Sequence, residues 1–456
     1  MSQRTFDVVV LGAGPVGEVA AGRLADAGLE VALVERELVG GECSYWACMP
    51  SKALLRPAQA RDEARRIPGA AQAVTGELDV DAVLARRDEI IHDLDDSGQL
   101  PWLEERGIVL VRGAGELSGE REVSVGDETL LARRAVVVAT GTTATIPPID
   151  GLAEAKPWTS REATTAKSVP GRLIVLGGGV VGVEMADAYN GFGATVTLIE
   201  GGSRVIAREE PFASEQLAAA LRAKGVDVRV DAKVAAVQRD GTTVTATFEG
   251  GTSVEGDEIL VAVGRTPHTA DIGLETVGLT PGKSIPTDIH LCVEGQRWLY
   301  AIGDVNGRAL LTHQGKYQAR IAADHILGRP NASLVYGGKL SPRVIFTEPQ
   351  VAAVGYTLAD AQEAGLEVRC VDVPIDANAG ASFYGRGVEG TARIVVDENR
   401  RVIIGATFTG PDISEFLHAA TIAIVADVPM DRLWHAVPSF PTRSEVWLKL
   451  MEAYGL

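Results

Sequence analysis

Residues 6–35 read FDVVVLGAGPVGEVAAGRLADAGLEVALVE. A short apolar strand runs into Gly12-x-Gly14-x-x-Gly17, a helix of small residues follows, Gly28 comes after it, and a second apolar strand closes on Glu35. Residues 173–200, LIVLGGGVVGVEMADAYNGFGATVTLIE, repeat the pattern with Gly177, Gly179, Gly182, Gly193 and Glu200. First glycine and closing glutamate are 23 positions apart in both units. One GxGxxG is a weak signal, whereas two whole strand–turn–helix–strand units with an acid at the same offset are a strong one.

The spacing has a chemical reason. Gly12 and Gly177 allow the tight turn, Gly14 and Gly179 let backbone approach a pyrophosphate, and Gly17 and Gly182 let helix and sheet pack closely. The helix start offers free N–H groups and a positive dipole end to phosphate. Glu35 and Glu200 are placed to accept hydrogen bonds from ribose hydroxyls. Two dinucleotides are implied, and a protein that binds two commonly passes electrons between them.

Composition agrees. A chain of 456 residues is too long for one ordinary core. Abundant glycine (51 residues) and few aromatics fit an α/β protein. The net charge of −18, with Lys and Arg scattered, argues against nucleic acid or an anionic membrane as partner. No apolar run reaches the roughly 20 residues of a membrane span. The apolar N-terminal segment is broken by glycines and reaches Glu18, which does not fit an export signal. Four cysteines do not make a disulfide scaffold, so a reducing cytoplasm is the expected location.

The rest of the chain organises around the two units. Residues 56–106 are expected to form long amphipathic helices, with Ile90, Ile91 and Leu94 as core. Strand-like runs cover 108–131, and RAVVVATG (134–141) and LYAIGD (299–304) are strands ending in glycine turns. Pro147 and Pro148 mark a linker. From about Tyr336, Val/Ile-rich strands alternate with helical runs, and a separate α+β domain is expected.

The most unusual stretch is GGECSYWACMPSK, Gly40 to Lys52. A metal site needs three or four ligands, and Cys43 and Cys48 supply two with no histidine nearby. On an ideal helix their Cα atoms stand roughly 8–9 Å apart, and a disulfide wants less than about 7 Å. A bond between them therefore needs a distorted turn, and a strained bond is more easily reduced than a structural one.

These motifs together resemble the pyridine nucleotide–disulfide oxidoreductases, the family of dihydrolipoamide dehydrogenase and glutathione reductase. The resemblance runs the whole length. It rests on both fingerprints, the cysteine stretch, Ala139-Thr140-Gly141, Gly264-Arg265-Thr266-Pro267, Gly303-Asp304, Phe346-Thr347-Glu348-Pro349 and Pro441-Thr442. It implies two Rossmann-like dinucleotide-binding domains and a C-terminal α+β dimerisation domain. The expected layout is FAD domain 1–150, NAD(P) domain 151–272, a return to the FAD and central region over 273–335, and an interface domain 336–456.

Site residues follow from the resemblance. FAD would lie on Gly12, Gly14, Pro15, Gly17, Glu35, Gly41 and Lys52. It would continue over Gly115, Thr140, Gly141, Gly303, Asp304 and Thr312. NAD would lie on Gly177, Gly179, Val180, Gly182, Glu200 and Gly264. Cys43 and Cys48 would form the redox disulfide, with Cys48 as the thiolate facing the flavin and Cys43 as the thiol that exchanges with substrate. Lys52 would sit near the flavin and pair with Glu184; read without the resemblance, these two are a surface charge and a helix-start acid. Glu200 favours NADH over NADPH because it can bind a 2′-hydroxyl and repel a 2′-phosphate, while Arg204 close behind could accept that phosphate. A homodimer is expected, and no metal.

Three departures matter. Glu42 stands where the family usually has Thr. Tyr45 and Trp46 replace small and polar residues between the cysteines, and core packing is their expected role. Phe440 stands where the family has a base histidine before Pro-Thr, leaving Glu445 without its imidazole; His435 is the rival candidate for that task. The chain ends MEAYGL, without the C-terminal cysteine pair of mercuric reductases. Three functions follow: an NADH-dependent reductase of a small disulfide, a flavoenzyme of this fold whose acceptor is a quinone or another non-disulfide, and a nucleotide-binding scaffold without turnover. Intact fingerprints, both cysteines, Lys52 and Glu184 argue against the third, and Phe440 separates the first two.

Overall fold

The computed structural model describes residues 2–330 and 332–456. The chain enters β1 (Ser2–Leu11), α1 (Pro15–Ala25) and β2 (Val31–Glu35), then α2 (Gly41–Tyr45) and α3 (Cys48–Arg66). After β3 (Glu128–Val138) comes the second unit, β4 (Arg172–Leu176), α4 (Val180–Gly191) and β5 (Thr195–Ile199). Strand β6 (Gln296–Ala301) and helix α5 (Thr312–Ile326) follow. The chain divides into two compact units, one of residues 1–50, 87–145 and 265–338, the other of residues 51–86, 146–264 and 339–456.

In the first unit, β1 pairs in parallel with β2 on one side and β3 on the other. Strand β6 extends the sheet past β3, and Val109–Arg112 extends it past β2, both in parallel. Side chains of a strand alternate between faces. Val8 and Val10 therefore enter one core with Ala20, Leu24 and Ala322, while Val9 and Leu11 enter the opposite core with Leu117 and Val123. A sheet covered on both faces is what near-continuous Val/Ile/Leu strands require.

The second unit carries a four-stranded parallel sheet in the order Asp227–Arg229, β5, β4, Glu258–Val261. A three-stranded antiparallel sheet, Val234–Asp240, Thr243–Phe248 and Ser253–Gly256, lies between its last two strands in sequence. The C-terminal part is a five-stranded antiparallel sheet with short helices, the α+β pattern expected from Tyr336 onward.

Two expectations change. Residues 56–106 do not form long helices throughout. Helix α3 ends at Arg66 ahead of Pro68-Gly69, and Val80–Ile90 ends before His92, Asp93 and Leu94, all with positive φ. Ile91 is buried, but Ile90 and Leu94 are only partly so. The spacing that suggested one helical face continues through a kink.

Candidate redox site and nucleotide cradles

The two fingerprints fold alike down to single bonds. Gly12 N–H donates to Val34 O at 2.9 Å and Gly177 N–H to Ile199 O at 2.8 Å. A Cβ on Gly12 (φ +98°) would fall 2.5 Å from Ala139 O, and on Gly177 (φ +111°) 2.5 Å from Ala262 O. A Cβ on Gly17 would fall 1.9 Å from Gly12 O, and on Gly182 1.9 Å from Gly177 O. Around Gly14 a Cβ would meet nothing within 4 Å, so open space lies where a phosphate would go. No side chain caps α1 or α4, and their first N–H groups are left for a ligand.

The closing glutamates also match. Glu35 accepts Ala13 N–H at 2.8 Å and Glu37 N–H at 2.7 Å. Glu200 accepts Gly178 N–H and Gly202 N–H, both at 2.7 Å. Each carboxylate thus ties the glycine turn to the turn after the second strand. Arg204 donates to the carbonyls of Glu209 and Ala207, both at 2.7 Å.

Gly41, Gly115, Thr140, Gly141, Gly303 and Asp304, also expected to hold FAD, lie in the same unit as the first fingerprint. Gly41 has φ +57°, and a Cβ there would meet Gly14 Cα at 2.8 Å, so α2 starts against the fingerprint turn. A Cβ on Gly115 would meet Leu11 and Val34 side chains at 2.8 and 2.9 Å. Thr140 donates its hydroxyl to His268 O at 2.7 Å, and Gly141 has φ +72°. Gly303 has φ +77° and donates to Gln318 Oε1. Half-buried Asp304 accepts Thr142 Oγ1–H at 2.8 Å, and desolvation pushes its carboxyl up.

Sequence reasoning assigned no role to Arg265, Thr142 or Arg36. Arg265 donates to Thr142 Oγ1 and O, each at 2.7 Å, and reaches Glu42 at 3.3 Å. Glu42 therefore turns to a cation of its own unit. Arg36 lies 3.1 Å from His268 Nδ1, whose pKa is lowered by burial and by that guanidinium. Arg265 stood inside the GRTP motif, and its lone cation among acids was the available signal.

The cysteines lie on two helices. Trp46 (φ −134°, ψ 3°) ends α2, and Cys48 opens α3. The distortion that the five-residue spacing demanded is this break. Both thiols meet one side chain: Thr312 Oγ1 donates to Cys43 Sγ at 3.2 Å and lies 3.4 Å from Cys48 Sγ. Cys43 is pushed well above the usual thiol range, first by its hydrogen bond with Cys48, then by burial and by charge on Cys48. Tyr45 is a core residue at 1% exposure, with burial raising its phenol to about 12.

In the second unit, Lys52 Nζ lies 2.9 and 3.2 Å from the oxygens of Glu184 and 4.7 Å from the centre of the Phe346 ring. Glu184 is 3% exposed and also accepts Phe346 N–H at 3.0 Å. Val180 at the start of α4 is exposed, and Gly264 (φ +153°) borders open space. Phe440 is 76% exposed and precedes a cis peptide to Pro441. The buried Oε2 of Glu445 has no hydrogen-bond partner among the described residues. His435 is exposed. No group of three or more potential metal ligands occurs among the described residues, and no described helix is long and apolar enough to cross a membrane.

A duplicated dinucleotide fold with two thiols beside one of its cradles defines a nucleotide-dependent redox protein. Residues 6–323 match the pyridine nucleotide-disulphide oxidoreductase family and residues 341–451 its dimerisation domain. The chain belongs to this family of FAD-dependent, pyridine nucleotide-linked enzymes, and it is an oxidoreductase. It is similar to dihydrolipoyl dehydrogenase of Chlamydia muridarum, 31% identical over 97% of this chain and 95% of the other. It is similar to that of Bacillus subtilis, 31% identical over 98% and 96%. Among solved structures it resembles the Cu(II) complex of the HOCl-induced flavoprotein disulfide reductase RclA from Escherichia coli, with a TM-score of 0.86 and 26% identity over 98% and 99% of the chains.

Proposed function

We propose that this enzyme takes hydride from NADH and delivers two electrons through the Cys43–Cys48 pair to a small acceptor. The observation that carries this reading is the meeting of both thiols at the Thr312 hydroxyl, beside the first cradle. FAD, when bound, supplies the two-electron carrier between nicotinamide and disulfide. Gly12, Gly14, Pro15, Gly17 and Glu35 hold it, with Gly41, Gly115, Thr140, Gly141, Gly303 and Asp304. Lys52, paired with Glu184, carries a fixed positive charge in the second unit. Gly177, Gly179, Val180, Gly182, Glu200 and Gly264 hold the nicotinamide cofactor. NADH is preferred because the Arg204 guanidinium is already engaged by two carbonyls and Glu200 repels a 2′-phosphate. Cys48 holds the negative charge and Cys43 exchanges with the acceptor. A cytoplasmic homodimer suits a dithiol that must be reducible.

A second reading is favoured by Phe440. Without an imidazole there, Glu445 has no base to orient, and an acceptor that needs no thiol proton transfer, a quinone or Cu(II), gains ground. Steady-state oxidation of NADH with lipoamide, glutathione disulfide, an aromatic disulfide, a benzoquinone and Cu(II) tests both. Turnover confined to disulfides supports the first reading. Turnover confined to quinone or Cu(II), unchanged in Cys43→Ser, overturns it in favour of the second.

A further inference from the structure

Four side chains of the first unit form one hydrogen-bonded chain that ends on an acid assigned to FAD. Glu42 lies on α2, next to Cys43, and its Oε2 accepts an Nη2–H of Arg265 at 3.3 Å. Arg265 gives Thr142 two bonds of 2.7 Å, from Nε to the hydroxyl oxygen and from Nη2 to the backbone carbonyl. Thr142 in turn donates its hydroxyl to Asp304 Oδ2 at 2.8 Å. Arg265 and Thr142 sit on the two strands of an antiparallel ribbon, Thr142–Ala144 and Arg265–Pro267, with Arg265 opposite Ala144. The polypeptide leaves the first unit after Thr145 and re-enters it at Arg265, so the ribbon is made of both passages.

Arg265 decides where the Thr142 hydrogen points. A hydroxyl has one hydrogen to give and two lone pairs to accept with. Nε of Arg265 fills an acceptor position, and the hydrogen is turned to Asp304. Thr142 is 3% exposed, which keeps water from competing for it. Asp304 is left with a second oxygen, Oδ1, that has no hydrogen-bond partner among the described residues. Desolvation raises the Asp304 carboxyl, while the Thr142 bond and the Arg265 guanidinium act to keep it charged. A carboxylate accepts hydrogen bonds and repels phosphate, so what it takes from a dinucleotide is a hydroxyl. Glu42 completes the set: a guanidinium is a planar fork, and a third contact beyond the two on Thr142 holds the fork in place. The Arg265 and Glu42 side chains are 22% and 26% exposed, so water screens this pair only in part.

We propose that Glu42 and Arg265 are positioning residues for FAD: through Thr142 they present Asp304 to a hydroxyl of the bound cofactor, and they tie that contact to the helix that carries Cys43. This rests on the reading that the first cradle holds FAD. Asp304 is the group that touches the cofactor, Thr142 orients it, and Glu42 and Arg265 act only through Thr142. The acid that stands where the resembled family usually has threonine is thus matched to the arginine of the GRTP motif.

The test is the FAD dissociation constant of the holoenzyme, read from the rise of flavin fluorescence on serial dilution. Thr142→Val should weaken FAD binding about 10–100-fold, the range for a lost hydrogen bond to a charged group. Thr142→Ser keeps the hydroxyl and should restore binding to within about threefold of wild type, a rescue that a purely structural role of the side chain would not give. Arg265→Met should weaken binding about tenfold. Glu42→Gln should weaken it severalfold alone and not at all in the Arg265→Met background, because a residue that acts only through another has no effect without it. Should Arg265→Met fail to accumulate, Arg265→Lys takes its place in the cycle, since an ammonium cannot reproduce the planar fork. Equal weakening by Thr142→Ser and Thr142→Val, or effects of Glu42→Gln and Arg265→Met that simply multiply, overturns the proposal. Asp304→Ala separates it from the cradle assignment. If Asp304→Ala weakens FAD binding and the Thr142 and Arg265 variants do not, the chain has no such role while the FAD reading stands. If Asp304→Ala binds FAD as wild type does, Asp304 is no cofactor contact and both fall at this residue.

Discussion

Gly17→Ala and Gly182→Ala are the same substitution at equivalent points of the two cradles, and they should separate the cofactors. In each, the new methyl would sit 1.9 Å from a carbonyl oxygen, of Gly12 or of Gly177. That is roughly 1.4 Å inside an ordinary carbon–oxygen contact of about 3.3 Å. The helix has to move off the turn by about that distance, at an overpacking cost of about 1–3 kcal/mol. The larger effect is on the ligand. A shift of about 1 Å at the helix start takes N–H groups out of reach of phosphate, and hydrogen bonds to charged groups are worth about 1.5–3 kcal/mol each. Losing two corresponds to about 3–6 kcal/mol, or roughly 10²–10⁴ in affinity. Gly17→Ala should purify with little FAD by its absorbance, and Gly182→Ala should keep FAD while calorimetric titration shows NADH binding lost. If Gly182→Ala loses FAD and still binds NADH, the cradles have been assigned in the wrong order.

Two-electron reduction of wild type should raise a long-wavelength absorption band from Cys48 thiolate against oxidised flavin; Cys48→Ser should abolish it and Cys43→Ser make it permanent, and full bleaching of wild type without a band refutes the disulfide assignment. Phe440→His should raise disulfide turnover, because general acid–base catalysis is typically worth about 10²–10⁴, and quinone turnover should not change; lipoamide reduction by wild type at a rate that Phe440→His leaves unaltered would show that no base was missing. NADH should give the higher kcat/KM, and a preference for NADPH would mean that Arg204 leaves its carbonyls. Glu18 has its pKa raised from 4.5 to about 7 by folding, so the folded state holds this proton more tightly. Its contribution is neutral below pH 4.5 and turns against the fold as pH rises to 7, by about 3 kcal/mol at most. Glu18→Gln should flatten that part of the urea-unfolding profile, and an unchanged pH slope would contradict it.

The duplicated cradle was legible because its geometry leaves no alternative to glycine: Gly12, Gly17, Gly177 and Gly182 each face a backbone oxygen at a distance no side chain tolerates. The C-terminal sheet was legible from its Val/Ile-rich strands between helical runs. The sheet of 234–256 was not, since its strands are short, partly exposed and rich in Thr. The break between α2 and α3 was legible only as a need, from the distance two cysteines must cover. Arg265, Thr142 and Glu42 were missed as a group because their partners lie more than a hundred residues apart in sequence. Glu18 had no local signature at all. An acid in a first helical turn is ordinary, and only the burial supplied by a distant helix makes this one unusual.

Thr312 has one hydroxyl hydrogen, and two sulfurs lie within its reach. A hydroxyl can give that hydrogen to a single acceptor at a time. The rotor about the Thr312 side chain is thus a two-position selector: whichever sulfur holds the negative charge draws the hydrogen, and the other is left to act as donor or to stand neutral. Serine at this place would keep the hydrogen but lose the methyl that restrains the rotor. Valine would keep the shape and leave both sulfurs without a donor. The redox pair is therefore a three-atom device, two sulfurs and one oxygen, in which the position of a single hydrogen records which thiol is charged.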